Sequence, residues 1–270
     1  MALRLLVAHS PAERDAARRV EAHVFLQAFG NTPEVMEQEY GAYEEQSRFI
    51  TVIDGEGGSA VGVARLILPS PTAPVKTLVD VAGEPWHLDV ADTLRAAGLS
   101  GRPVWDVASL AVDRRFRSGA AGAEVIVALC HGVHRYSLHC GVEGLVTVLD
   151  DRILRVVRAM GMPWSPMAGA TSQYYLGSPA STPCVMVMSS VAESIRTRRP
   201  ALAPAVVDGT LHSIAVDPAD LLPGRGGSLP RAAPPEQPDR PSVARRDTSG
   251  WRSPAHRRTA TLVSSPQPRT

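Results

Sequence analysis

The stretch from Trp105 to Gly122, WDVASLAVDRRFRSGAAG, decides how the chain is read: an apolar run passes straight into a basic, small-residue turn that opens a helix. Free backbone N–H groups and the positive end of a helix dipole suit such a turn to an anion. Arg114, Arg115 and Arg117 add the charge a phosphate-bearing ligand would need. A plain solvent-exposed helix start has the same residues, so the flanking elements have to decide between the two.

Upstream, Leu3 to Ala8 reads as a strand, and Ser10-Pro11-Ala12-Glu13 is a capping box with Pro at the first helical position. That helix is predicted to reach Phe29 and stop at Gly30-Asn31, with a second helix starting at Thr32-Pro33. Phe49 to Asp54 and Ala60 to Leu68 flank a glycine-rich turn and read as an antiparallel hairpin. A Pro-rich connection and a short helix at Asp89 to Ala97 precede the strand Val104 to Val112. Then come a helix from Ala121 to about His139, a strand at Gly144 to Leu149, a helix at Asp150 to Met160, and strands at Ser172 to Leu176 and Cys184 to Ser189. The order is mixed α/β, antiparallel strands first and a βαβ unit in the middle.

The chain has 270 residues, 44% hydrophobic, and a formal charge of +1. Hydrophobic periodicity fades from about Ser194, so the expected folded domain is 1–195, with 196–270 a Pro/Arg-rich, mostly disordered tail. That tail lacks the aromatic interleaving that nucleic-acid binding favours. Cys130 and Cys140 would lie about 15 Å apart on one helix, beyond bridging distance. Three scattered cysteines, no signal peptide and no run of roughly 20 apolar residues point to a cytoplasmic protein without membrane contact. A metal centre at His131, His134 and His139 is not expected, because His139 turns about 140° away from His134 around the helix.

This element order and the Arg117-Ser118-Gly119-Ala120-Ala121-Gly122 turn resemble the GNAT acyltransferase superfamily, whose turn cradles the pyrophosphate of acyl-CoA. Ala120 stands where that pattern has its central Gly. Over roughly residues 15–190 the chain is similar to the branch of autoinducer (acyl-homoserine lactone) synthases and N-acyl amino acid synthases. Gly62 to Pro69 looks like that branch's "VG..RL.P" strand, Trp105 to Val112 like its "E..R.AV" strand, and Glu39 to Glu44 like its paired-carboxylate stretch. Ser109 replaces the family Arg, Gly41 replaces an acid, and Asp106 replaces a Glu. Val157 occupies the place of the usual acetyltransferase Tyr.

The resemblance implies a GNAT-like fold with a βαβ acyl-donor unit, and an N-acyltransferase moving an acyl group to the amine of a small metabolite. Acyl-CoA or an acyl carrier protein would be co-substrate, with no permanently bound cofactor. Autoinducer-type chemistry on S-adenosylmethionine and a non-catalytic acyl-CoA- or partner-binding module are the alternatives. Val112, Arg115, Arg117, Ser118, Gly119, Ala120, Ala121 and Gly122 are the expected donor-binding residues, with a backbone N–H near Ala111 and Val112 polarising the thioester. Asp106 and Glu44 are candidates for holding and deprotonating the amine, although ordinary ion pairs would account for both. Arg65, inside an apolar strand, needs an acid, and Asp106 or Glu44 is the expected partner. Arg19 joins the catalytic candidates through the resemblance alone.

Overall fold

The computed structural model describes residues 2–55, 58–70, 74–117 and 119–223. Its first helix, α1 (Pro11–Phe29), follows strand β1 (Leu3–Val7) through the expected capping box, in which Ser10 accepts from the Glu13 amide and Glu13 reaches back to the Ser10 amide. Gly30 ends α1 in the left-handed conformation, and Thr32 caps α2 (Pro33–Tyr40). Strands β2 (Ser47–Asp54) and β3 (Ala60–Ile67) form the expected hairpin. Helices α3 (Lys76–Ala82) and α4 (Val90–Ala96) lead into β4 (Val104–Val112). Then come α5 (Gly119–His139), β5 (Gly144–Asp150), α6 (Asp151–Ala159), the short β6 (Ser165–Pro166) and β7 (Gln173–Tyr175), and the long β8 (Ser178–Val187).

With β9 (Ile214–Val216) included, the nine strands among the described residues form one sheet in the order β6-β8-β5-β4-β3-β2-β1-β9, with β7 pairing to β8. Neighbours are antiparallel except β4–β5, joined by the α5 crossover, and β1–β9. On one face Ala17, Val20 and Val24 of α1 pack on Phe49, Val63 and Ala111. On the other, Val125, Ala128, Leu129 and Tyr136 of α5 pack on Leu5, Ile50, Leu66 and Trp105.

Two expectations are corrected here. The Pro-rich connection contains α3, whose N-terminal Val75 supplies no side-chain cap; Asp106, on the neighbouring strand, accepts from the Thr77 amide at 2.8 Å and the Thr77 hydroxyl at 2.9 Å instead. A cap delivered 29 positions along the chain leaves no local signature. Order also does not end at 195. Helix α7 (Val191–Arg198), α8 (Ala203–Val206) and β9 (Ile214–Val216) continue the domain, burying Ile195, Ala203, Val206, Val207, Ile214 and Leu221. These helices are too short for their own periodicity to stand out and depend on tertiary packing. Residues 224–270, the rest of the expected tail, lie outside the described residues. No helix among the described residues is long and apolar enough to cross a membrane.

Candidate active site

Strands β4 and β5 pair only at Val104–Gly144, Trp105–Leu145 and Asp106–Val146, then part. Where pairing stops, Thr147 Oγ1 donates to the Val107 carbonyl at 2.7 Å, satisfying an acceptor that the missing ladder would have used. Beyond it a cavity of about 100 Å³ opens between Val107–Leu110 and Thr147–Asp150 and passes through the sheet. On the α5 side its wall is apolar, with Leu129, Val133, Val157, Met162, Trp164 and Met186; toward α2 it is bordered by the polar Tyr40, Ser109 and Tyr175. The strands thus part from Val107, ahead of Ala111 and Val112, where the polarising N–H was expected.

A second, more open groove of about 730 Å³ adjoins the cavity, and Phe25, Phe29, Leu110 and Ile153 line both. Its far wall holds Val112, Arg117, Gly119 and Gly122, so the structure brings these four expected donor residues together. Arg117 Nε donates to the Val112 carbonyl at 2.7 Å, tying the turn to the strand end. Gly119 has φ +72, and a Cβ on Gly122 would lie 2.3 Å from the Phe116 carbonyl oxygen, so the turn can close over the first turn of α5 only with glycine there. Arg115 is placed elsewhere. It is bidentate to Asp113 and lines a separate surface depression with His23, Gln27 and Arg114. Ala120 and Ala121 belong to α5, and Ser118 lies outside the described residues.

Across the sheet face from α5 lies a charged cluster. Arg65 is buried and binds Glu21 of α1 through both carboxylate oxygens, the closer contact at 2.6 Å. It also donates to Ser47 Oγ at 3.1 Å and reaches Glu44 at 3.3 Å, and its guanidinium lies 4.9 Å from the Tyr40 ring centroid and 4.7 Å from that of Phe49. Glu44 is held in turn by Arg14 and Arg18, each at 2.8 Å. Its hydrogen bonds from these arginines and the charge of Arg65 outweigh the opposing effect of burial and hold its pKa below the ordinary value. Of the two expected partners of Arg65, Glu44 is present as the lesser one, while Asp106 is bound to Thr77 instead. Arg19 is exposed and takes no part in the cluster.

Ser109 faces Arg65 in the strand register and donates to Glu21. A second arginine at 109 would have placed two guanidinium groups side by side, so the serine fits a Glu21 carboxylate already clamped by Arg65. A bulge at Ala108 sets this geometry, since without it residues 106 and 109 would point to opposite faces of β4. Asp106 is fully buried, and burial pushes its carboxyl up to about 7 against the lowering effect of the Thr77 hydrogen bonds. It does not line the cavity, and neither do Glu44 and Arg65.

A second buried cation, Lys76 of α3, was not singled out in the sequence. Its ammonium contacts Asp80 at 2.6 Å, Glu39 at 3.0 Å and the Tyr175 hydroxyl at 3.3 Å. These carboxylates outweigh the effect of burial and push its pKa above the ordinary lysine value. Glu21 had one local signal: it falls within the buried stripe Ala16, Ala17, Val20, Val24 of α1. Lys76 had none, because its helix was not legible.

The fold is shared with known proteins. FeeM, an N-acyl amino acid synthase from uncultured soil microbes, aligns over 73% of this chain and 97% of its own with a TM-score of 0.55 and 16% sequence identity. BjaI, a CoA-dependent acyl-homoserine lactone synthase, aligns over 80% of this chain and 93% of its own at 16% identity and a TM-score of 0.45. No protein-family model matches the chain, and no curated protein matches it in sequence. At this identity the likeness to FeeM is one of fold: the protein has the mixed-sheet, GNAT-like architecture expected from its strand and turn motifs.

Proposed function

We propose that the protein is an N-acyltransferase that moves an acyl group from acyl-CoA or an acyl carrier protein to the amine of a small metabolite. One observation carries the reading: the cavity piercing the sheet between β4 and β5 adjoins the Gly119–Gly122 groove and has an apolar wall on one side and a polar wall on the other. A phosphopantetheine arm in the groove would place its thioester where the strands part, with the acyl chain against Val157, Met162, Trp164 and Met186. Backbone N–H groups on the β5-facing edge of β4 beyond Asp106 would polarise the thioester carbonyl in a water-poor site. The amine would approach past Tyr40, Ser109 and Tyr175. The shared fold with FeeM makes amino acids the first acceptors to try.

Glu44, Arg65 and Asp106 have a supporting part in this reading. They fix α1, α2 and α3 around the amine side, since none of them lines the cavity. Arg117 would meet the donor's phosphate, whereas Arg115, occupied by Asp113, would contribute little.

A thermal-shift series with CoA, acetyl-CoA, decanoyl-CoA and S-adenosylmethionine tests the proposal, followed by thiol release with an amino-acid mixture and the mass of the product. Decanoyl-CoA should stabilise the protein more than CoA does, and Arg117→Ala should weaken that stabilisation. If neither these thioesters nor a decanoyl-loaded acyl carrier protein stabilises the protein, the reading is wrong. Stabilisation by S-adenosylmethionine would favour autoinducer-type chemistry, and donor binding without thiol release a non-catalytic module.

A further inference from the structure

Toward α2 the cavity is bordered by two chains of hydroxyl, carboxylate and cation that end differently, while a third, Ser178–Asp150–Arg152, stands at the end of β5. In one, Ser109 donates to Glu21, which is clamped by Arg65. In the other, the Tyr175 hydroxyl donates to Asp80 Oδ2 at 2.5 Å, and Lys76 donates to that same carboxylate oxygen at 2.6 Å. The Glu21 side chain is 2% exposed and that of Asp80 is 22% exposed. A proton delivered to Glu21 would stay sealed beside the Arg65 charge, whereas one delivered to Asp80 has a way out to water.

Resting on the acyl-transfer reading, we propose that Tyr175 and Asp80 form the proton path for the acceptor amine. The neutral amine nitrogen bonds to the thioester carbonyl carbon and the C–S bond breaks. The N–H proton passes to the Tyr175 oxygen while the phenol's own proton passes to Asp80 and on to solvent. The thiolate departs along the groove and takes its proton from water at the mouth. Atoms and charge balance with no further reactant.

The surroundings suit each group to its part. Burial first, and the Asp80 charge next, push the Tyr175 hydroxyl well above its ordinary pKa, so the phenol rests protonated with its hydrogen committed to Asp80. Its oxygen keeps acceptor capacity for an N–H, because Lys76 occupies only one site on it. Lys76 has three donors and three partners in Asp80, Glu39 and Tyr175, so it has none left for a substrate and acts as a positioning residue. Trp86 packs against the Tyr175 ring at 5.4 Å between centroids and fixes its orientation.

The experiment uses the full chain, decanoyl-CoA as donor and, as acceptor, the amino acid identified from the mixture by product mass. Tyr175→Phe should lower kcat about 100-fold, with the KM for decanoyl-CoA and the Tm unchanged. Asp80→Asn should lower kcat to a similar extent at an unchanged KM, with a fall in Tm because it also breaks the pair with buried Lys76, and Asp80→Glu should recover part of the rate. Unchanged kcat in Tyr175→Phe, or a loss confined to KM, overturns the proton path and leaves acyl transfer standing. If Tyr175→Phe fails to fold, Asp80→Asn decides by the same readouts. A wild-type protein that releases no thiol with any amino acid overturns the acyl-transfer reading and the path together.

Discussion

On the face covered by α1, α2 and α3 the sheet buries Glu21, Arg65, Lys76 and Asp106, whereas the face covered by α5 and by the segment from α7 to β9 buries apolar side chains with His131 and His134 among them. The first face is held by specific partners. Every buried charge on it except Asp106 has an opposite charge within 3.3 Å, and Asp106 is held by Thr77. The second is held by area: Val191, Ile195 and Val206 are sealed against the core, and the polar ties are few. His131 Nδ1 meets the Val206 carbonyl at 3.0 Å, and Glu124 accepts from the amides of His212 and Ser213. The polar and the apolar face of the sheet thus meet at the cavity where β4 and β5 part.

The largest effect should come from breaking a pair on the charged face. Glu21→Ala leaves Arg65 buried with Glu44 as its remaining carboxylate at 3.3 Å, and should cost about 3–5 kcal/mol in urea unfolding. A loss below about 1 kcal/mol would mean that Glu44 alone satisfies the guanidinium. On the apolar face, Ile195→Ala removes a fully buried side chain and should cost about 2–4 kcal/mol. That loss should be the same at pH 5 and pH 8, because no charge is involved.

The smallest and most discriminating effects are in the pH dependence. Asp106 has its pKa raised by burial from 3.8 to about 7, so the folded state holds its proton more tightly than the unfolded chain. Its contribution is favourable at low pH and declines as pH rises from about 4 to 7. Asp106→Asn should therefore gain on the wild type in urea unfolding on going from pH 4 to pH 8. His134 behaves oppositely. Burial lowers its pKa from 6.5 to about 4, so the wild type loses stability as pH falls through that window. His134→Gln should remove that loss, read as a smaller drop in Tm between pH 7 and pH 4.5. Parallel slopes for the two variants would break the contrast between the faces.

Much of the fold was legible because its signals are local. The capping box at Ser10 and Glu13, the stop at Gly30 and the Thr32 cap each act within four residues. Strand β4 spans the expected Val104–Val112 and β2 begins at Ser47, ahead of the expected Phe49, whereas β8 begins at Ser178 instead of the expected Cys184. Its missing half, Ser178-Pro179-Ala180-Ser181-Thr182-Pro183, carries two prolines and little apolar character, yet pairs with β5 as far as Ser181–Asp150. The basic turn is legible only in its geometry: Arg117, Gly119 and Gly122 line one groove, while Arg115 is turned away from it by its fork onto Asp113, which the sequence does not show.

By itself, then, the sequence determined the order of the elements, the strand-turn-helix unit and the presence of a buried arginine in β3, since caps, turns and alternation are set by residues a few positions apart. Tertiary structure alone decided that Arg65 pairs with Glu21, 44 positions away, that Asp106 caps a helix, that residues 196–223 belong to the domain, and that β4 leaves β5 at Val107. Each of these depends on a bulge, a register or a cap supplied from another element, and such distances are set only when the chain is packed.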